Sequence, residues 1–142
     1  MNARNLLLSA GPVSDTFGSS GLLLARLYAG TTMAVAHGIK KLPPAPEFVE
    51  GVGRLGFPLP ELFAWAATGA ELAGGVCIAL GLLTRPAALA TAFTMAVAGF
   101  LRHADDPFKV KEFAFCYLAL AIVFLFVGAG KYSLDARISR PA

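Results

Sequence analysis

The stretch "ELFAWAATGAELAGGVCIALGLL" at residues 61–83 decides how the chain is to be read. It is 23 residues long, small and apolar throughout, and carries a single interior carboxylate, Glu71. A helix crossing a bilayer needs roughly 20 mostly apolar residues, and this run supplies them. Its apolar residues surround the whole helix, whereas a soluble helix would bury one stripe. The medium implied is lipid.

Working outward, three further runs have the same character: "SGLLLARLYAGTTMAVAHG" at about 20–38, "RPAALATAFTMAVAGFLR" at about 85–102, and "EFAFCYLALAIVFLFVGAG" at about 112–130. The composition agrees. Hydrophobic residues make up 56% of the 142-residue chain and charged residues 15%, against about 25% charged in an average soluble domain. Mean hydropathy is +0.66. The expected fold is therefore all-α, a polytopic transmembrane four-helix bundle forming a single membrane domain over 1–142.

The remaining segments punctuate that plan. Residues 1–18, "MNARNLLLSAGPVSDTFG", start basic but hold too few consecutive apolar residues for a secretory signal, and read as an N-terminal arm. The loop "IKKLPPAPEFVEGVGRLGFPLP" at 39–60 contains five of the nine prolines, which excludes a continuous helix. Within it Phe48, Val52 and Leu55 recur at helical spacing among Glu47, Glu50 and Arg54, the pattern of a short helix lying at the interface. Thr84 precedes Arg85-Pro86 and is placed to cap the third helix. Residues 131–142 form a polar C-terminal tail. Trp65 and Tyr132 fall near opposite surfaces as aromatic anchors.

Four spans put both termini on one side. Basic residues do not orient them: Arg4, Arg85, Lys131, Arg137 and Arg140 on that side face Lys40, Lys41, Arg54, Arg102, Lys109 and Lys111 on the other. The formal net charge of +3 fits basic loops at anionic headgroups, and no patch or motif points to nucleic acid. Cys77 and Cys116 form no C-x-x-C and no disulfide framework, and read as buried small hydrophobes.

Charged residues inside the spans carry the functional question. Glu71 lies about ten residues from either end of its helix, on the order of 15 Å from each interface. A lone charge at that depth costs roughly 2.5–3.5 kcal/mol, so it faces the interior and takes a partner. The expected partner is Arg26, the basic residue inside the first span. Two readings of the pair stand, a structural ion pair and a ligand or proton site. Ala67, Ala70, Gly74 and Gly75 around Glu71 offer a small-residue surface for a close helix crossing. Arg26 and His37, eleven apart, share a helix face, with His37 towards the end where His103 closes the third span and Glu112 opens the fourth. Their spacing is not that of a metal site. Headgroup contact and binding of the polar head of a quinone or other amphiphile are both open to this cluster.

Taken together, "HGIKKL" at 37–42, "GFPLP" at 56–60, "ELAGGVCIALGLLTRPAAL" at 71–89, "RH" at 102–103 and "GAGKYSLD" at 128–135 resemble the DoxX family of small four-helix membrane proteins. Arg26, His37, Lys41, Glu71, Arg85, His103 and Glu112 match that family's polar positions, and the resemblance makes them the candidate ligand-binding set. It implies a multi-pass protein of the bacterial inner membrane with cytoplasmic termini, a bound quinone, and a role as a subunit supporting oxidoreduction. The alternative it leaves is a non-catalytic scaffold holding a soluble redox protein at the membrane, with self-association into a homo-oligomer also open. A small transporter is a third reading, which lacks the inverted repeats such proteins show.

Overall fold

In a computed structural model of the chain, residues 12–13 and 15–139 are described. Most of the expected N-terminal arm, residues 1–11 and 14, and the last three residues of the expected tail lie outside them. The described residues are all-helical, without strands. Helix α1 (Thr16–Thr32) continues through a π turn (Met33–Gly38) and a 3-10 turn (Ile39–Lys41). Then follow α2 (Pro46–Arg54), α3 (Pro60–Leu80), α4 (Thr84–Ala96) with its own π turn (Val97–Arg102), α5 (Phe108–Val127) and the short α6 (Leu134–Ser139).

Three helical stretches, Thr16–Lys41, Pro60–Leu80 and Phe108–Val127, are long and apolar enough to cross a membrane. The stretch from Thr84 to Arg102 carries three threonines and an arginine near each end, and is less apolar. The helices pack in the order α1 on α3, α3 on α4, and α4 on α5. Ala29, Ile78, Ala87, Ala88 and Phe124 from these four helices meet in one buried cluster. On the opposite side α5 is largely bare: Phe113, Ile122, Val123 and Phe126 are exposed, as is Cys116. The expectation of two buried cysteines is corrected accordingly, since Cys77 is half-buried and Cys116 sits on that bare surface.

The α1–α3 crossing fixes the register on which everything else depends. A Cβ added at Gly30 would lie 2.5 Å from Ala79 N and Gly75 O, and one at Gly38 would lie 2.6 Å from Leu72 N. The two backbones therefore touch, which only small residues permit. Gly74, on the neighbouring face of α3, meets Thr91 and Ala87 of α4. The glycine pair in "ELAGGV" serves two crossings at once.

The end of α3 is closed by a Schellman turn. Gly81 takes φ +66°, its N–H donates to Ile78 O, and the N–H of Leu82 donates to Cys77 O. The next helix is not capped by Thr84. Asp135 does this instead, its Oδ1 accepting from Leu83 N at 2.8 Å and its Oδ2 from Thr84 N at 3.0 Å. An acceptor at a helix N-terminus can come from any part of the chain, and here it comes from the segment expected to be a polar tail. Asp135 N in turn donates to Gly81 O at 2.8 Å.

Candidate functional site

The register of α1 on α3 separates the two interior charges that were expected to pair. With Gly30 beside Gly75 and Ala79, and Gly38 beside Leu72, Arg26 stands one turn past Gly30, at the C-terminal end of α3. Its guanidinium is fully buried and donates to Ile78 O (3.3 Å), Ala79 O (3.2 Å) and Tyr132 O (2.6 Å). Asp135 lies within Coulombic range. Arg26 thus neutralises the negative end of α3 and ties the C-terminal segment to it.

Glu71 lies level with Gly38, at the other end of α1, and its partner is Lys41. The Nζ–Oε1 distance is 2.6 Å, with the Glu71 side chain 2% exposed and that of Lys41 35% exposed. Lys41 arrives there because α1 does not stop at the expected residue 38 but tightens into the Ile39–Lys41 turn. Its carbonyl accepts from Thr68 Oγ1 at 3.5 Å, and its ammonium also lies 5.3 Å from the Phe48 ring centroid.

The pair forms one wall of a cavity of about 530 Å³, partly open to the surface. Amphipathic α2 supplies Phe48 and Val52 to it, and Leu55 at its C-cap follows at the same spacing. Phe57 and Phe63, with ring centroids 4.6 Å apart, and Phe93 complete the apolar lining. Ala66, Ala67 and Ala70 of α3 leave the space open. Arg102 and His103 stand at the end of α4's π turn. His103 Nδ1 donates to Asp106 Oδ2 at 2.6 Å. Both π turns precede a residue of this cavity, and such turns often occur at functional sites.

Of the seven residues singled out from sequence, Lys41, Glu71 and His103 come together here. His37 does not. It packs edge-on against Tyr117 of α5, ring centroids 5.6 Å apart, and the Tyr117 hydroxyl donates to Thr32 Oγ1 at 2.8 Å. The shared face with Arg26 assumed 3.6 residues per turn, and the π turn at Met33–Gly38 holds more, rotating His37 away. Arg85 is half-buried and reaches Phe126 O at 3.4 Å, joining the start of α4 to the end of α5. Glu112 is exposed in the first turns of α5. The aromatic lining was not singled out beforehand, although "GFPLPELF" at 56–63 was its signal: two phenylalanines separated by a proline-fixed bend.

Chemically, the site offers an apolar chamber whose wall holds the Lys41–Glu71 ion pair, with Arg102 and His103 also in its lining. That is the layout of a receptor for a molecule with an apolar body and a polar head.

The family model described as DoxX matches residues 21–104, the interval that holds the α1–α3 crossing and every residue named as lining the cavity. Two proteins of Haemophilus influenzae are similar to the chain, each described as an uncharacterized protein. One is 31% identical over 111 residues, covering 72% of this chain and 74% of its own length. The other is 32% identical over 111 residues, covering 72% and 80%. No solved structure matches the chain with significance.

Proposed function

The chain belongs to the DoxX family and is a membrane protein, and from that premise we propose that it binds a quinone or similar amphiphile within a four-span bundle of the bacterial inner membrane, supporting oxidoreduction there. The observation carrying this reading is the cavity with the Lys41–Glu71 pair in its wall and four phenylalanines along its apolar lining. Its volume of about 530 Å³ falls among ligand sites, which span roughly 300–1,000 Å³. That volume admits a quinone ring with the first part of a tail, the rest leaving through the open side.

The residues present fit such a group. Phe48, Phe57, Phe63 and Phe93 would hold the ring by offset or edge contacts. Lys41 and Arg102 would be the donors to its polar head. A quinone, when bound, supplies a two-electron carrier; the protein contributes binding, orientation and shelter from water. Termini on the cytoplasmic side would place the cavity towards the opposite surface. A C-terminal fluorescent-protein fusion is then expected to be bright, and a fusion that matures only outside the cytoplasm would reverse this orientation.

Filling the chamber tests the reading directly. Ala67 lines it, half-buried on α3, and Ala67→Phe is expected to remove any amphiphile that accompanies the wild-type protein in native mass spectra from mild detergent. The helical circular-dichroism signal should be retained. A co-purifying molecule held equally by wild type and Ala67→Phe would show that it binds elsewhere.

A further inference from the structure

Glu71 is used only by half. Oε1 accepts from Lys41 Nζ at 2.6 Å, while Oε2 is buried and has no hydrogen-bond partner among the described residues. An ionised carboxylate is an acceptor only, with room for several donors on its two oxygens. Leaving one of them without a donor in a low-dielectric interior is unfavourable, and buried polar atoms are ordinarily satisfied. Glu71 is 1% exposed and belongs to the wall of the cavity.

We propose that the occupant of this cavity carries a hydrogen-bond donor on its head, a hydroxyl of phenolic type, which Glu71 Oε2 accepts; the inference rests on the amphiphile reading above. A head with carbonyl oxygens alone finds donors in Lys41 and Arg102 but leaves Oε2 as it is. A head with a hydroxyl satisfies it. The last torsion of a glutamate side chain is soft, so Oε2 can meet an entering head group without repacking the helices. Glu47, the other carboxylate of the lining, is exposed to solvent and exerts no comparable demand. Thr94 Oγ1 already donates to Ala90 O at 3.0 Å and is a neutral acceptor, weaker than a carboxylate. Within the quinone class, the site therefore selects the hydroquinone over the quinone.

The test uses a short-tailed benzoquinone and its hydroquinone, kept under anaerobic conditions, titrated calorimetrically into the detergent-solubilised full chain. The hydroquinone is expected to bind wild type about tenfold or more tightly than the quinone, the size of one hydrogen bond to a charged acceptor. Glu71→Gln keeps an oxygen for Lys41 and turns an N–H towards the ligand, so the preference should vanish or reverse. Equal affinities in wild type, or a tighter quinone, with both lost in Ala67→Phe, would overturn the donor assignment and leave the cavity reading standing. Binding of both probes unaffected by Ala67→Phe would overturn the two together. Should Glu71→Gln fail to accumulate, the wild-type ratio decides alone.

Discussion

Arg26→Ala is expected to destabilise the folded protein by about 3–5 kcal/mol, the range found when one member of a buried charge arrangement is deleted. The guanidinium is fully buried and serves three carbonyls from two distant parts of the chain. Ile78 O and Ala79 O belong to the last turn of α3, where carbonyls lack partners within the helix. Without Arg26, Ile78 O keeps only the Gly81 N–H, Ala79 O loses its donor, and Asp135 loses the cation near it. Arg26→Met separates shape from charge. It restores most of the volume and none of the hydrogen bonds, so its loss should approach that of alanine. Arg26→Lys should recover only part, because an ammonium lacks the planar fork that reaches several acceptors at once. The midpoint of unfolding by sodium dodecyl sulfate, followed by circular dichroism, reports all three. Arg26→Met unfolding together with wild type would show that the guanidinium merely fills space.

The second large effect is predicted at Gly75. Even the first atom of a side chain there would lie 2.8 Å from Ala34 N and Gly30 O, and neither is the movable end of a flexible group. Overpacking a core typically costs about 1–3 kcal/mol; a clash with backbone on the facing helix belongs at or above the upper end. Gly75→Leu is therefore expected to force α1 off α3 and to widen the spacing at Gly38 and Leu72, where Lys41 approaches Glu71. Amphiphile binding should fall along with stability. Gly69→Leu is the control, since a Cβ at Gly69 meets nothing within 4 Å, and it should leave the unfolding midpoint unchanged. A Gly75→Leu protein as stable as Gly69→Leu would contradict the close crossing.

The elements were legible in the sequence because lipid imposes coarse requirements: length, apolarity and breakers. The run at 61–83, the proline-rich loop and the amphipathic spacing of Phe48, Val52 and Leu55 gave α3 and α2 directly. Pairing was not legible, because it depends on register. Arg26 and Glu71 were matched as interior charges, yet the antiparallel offset set by Gly30, Gly38, Leu72 and Gly75 places them at opposite ends of the crossing. The π turn at Met33–Gly38 then removed His37 from the expected face, a departure from 3.6 periodicity with no signature in residue types. Asp135 was hidden for a different reason: it caps a turn far from it in sequence, and no local pattern announces that. Of the candidate set, Lys41, Glu71 and His103 share the cavity, and the phenylalanines that complete it come from segments first read only as loop or span.

The bonds from Tyr132 and Asp135 span more than half and about a third of the chain, and this orders the protein's birth. When α1 to α4 have been made, Arg26 is already in place, but two of its stabilising neighbours, Tyr132 and Asp135, have not yet been synthesised. A chain that stops before Tyr132 therefore carries an unsettled cation at an unsealed turn, and only the arrival of Tyr132 and Asp135 quiets both.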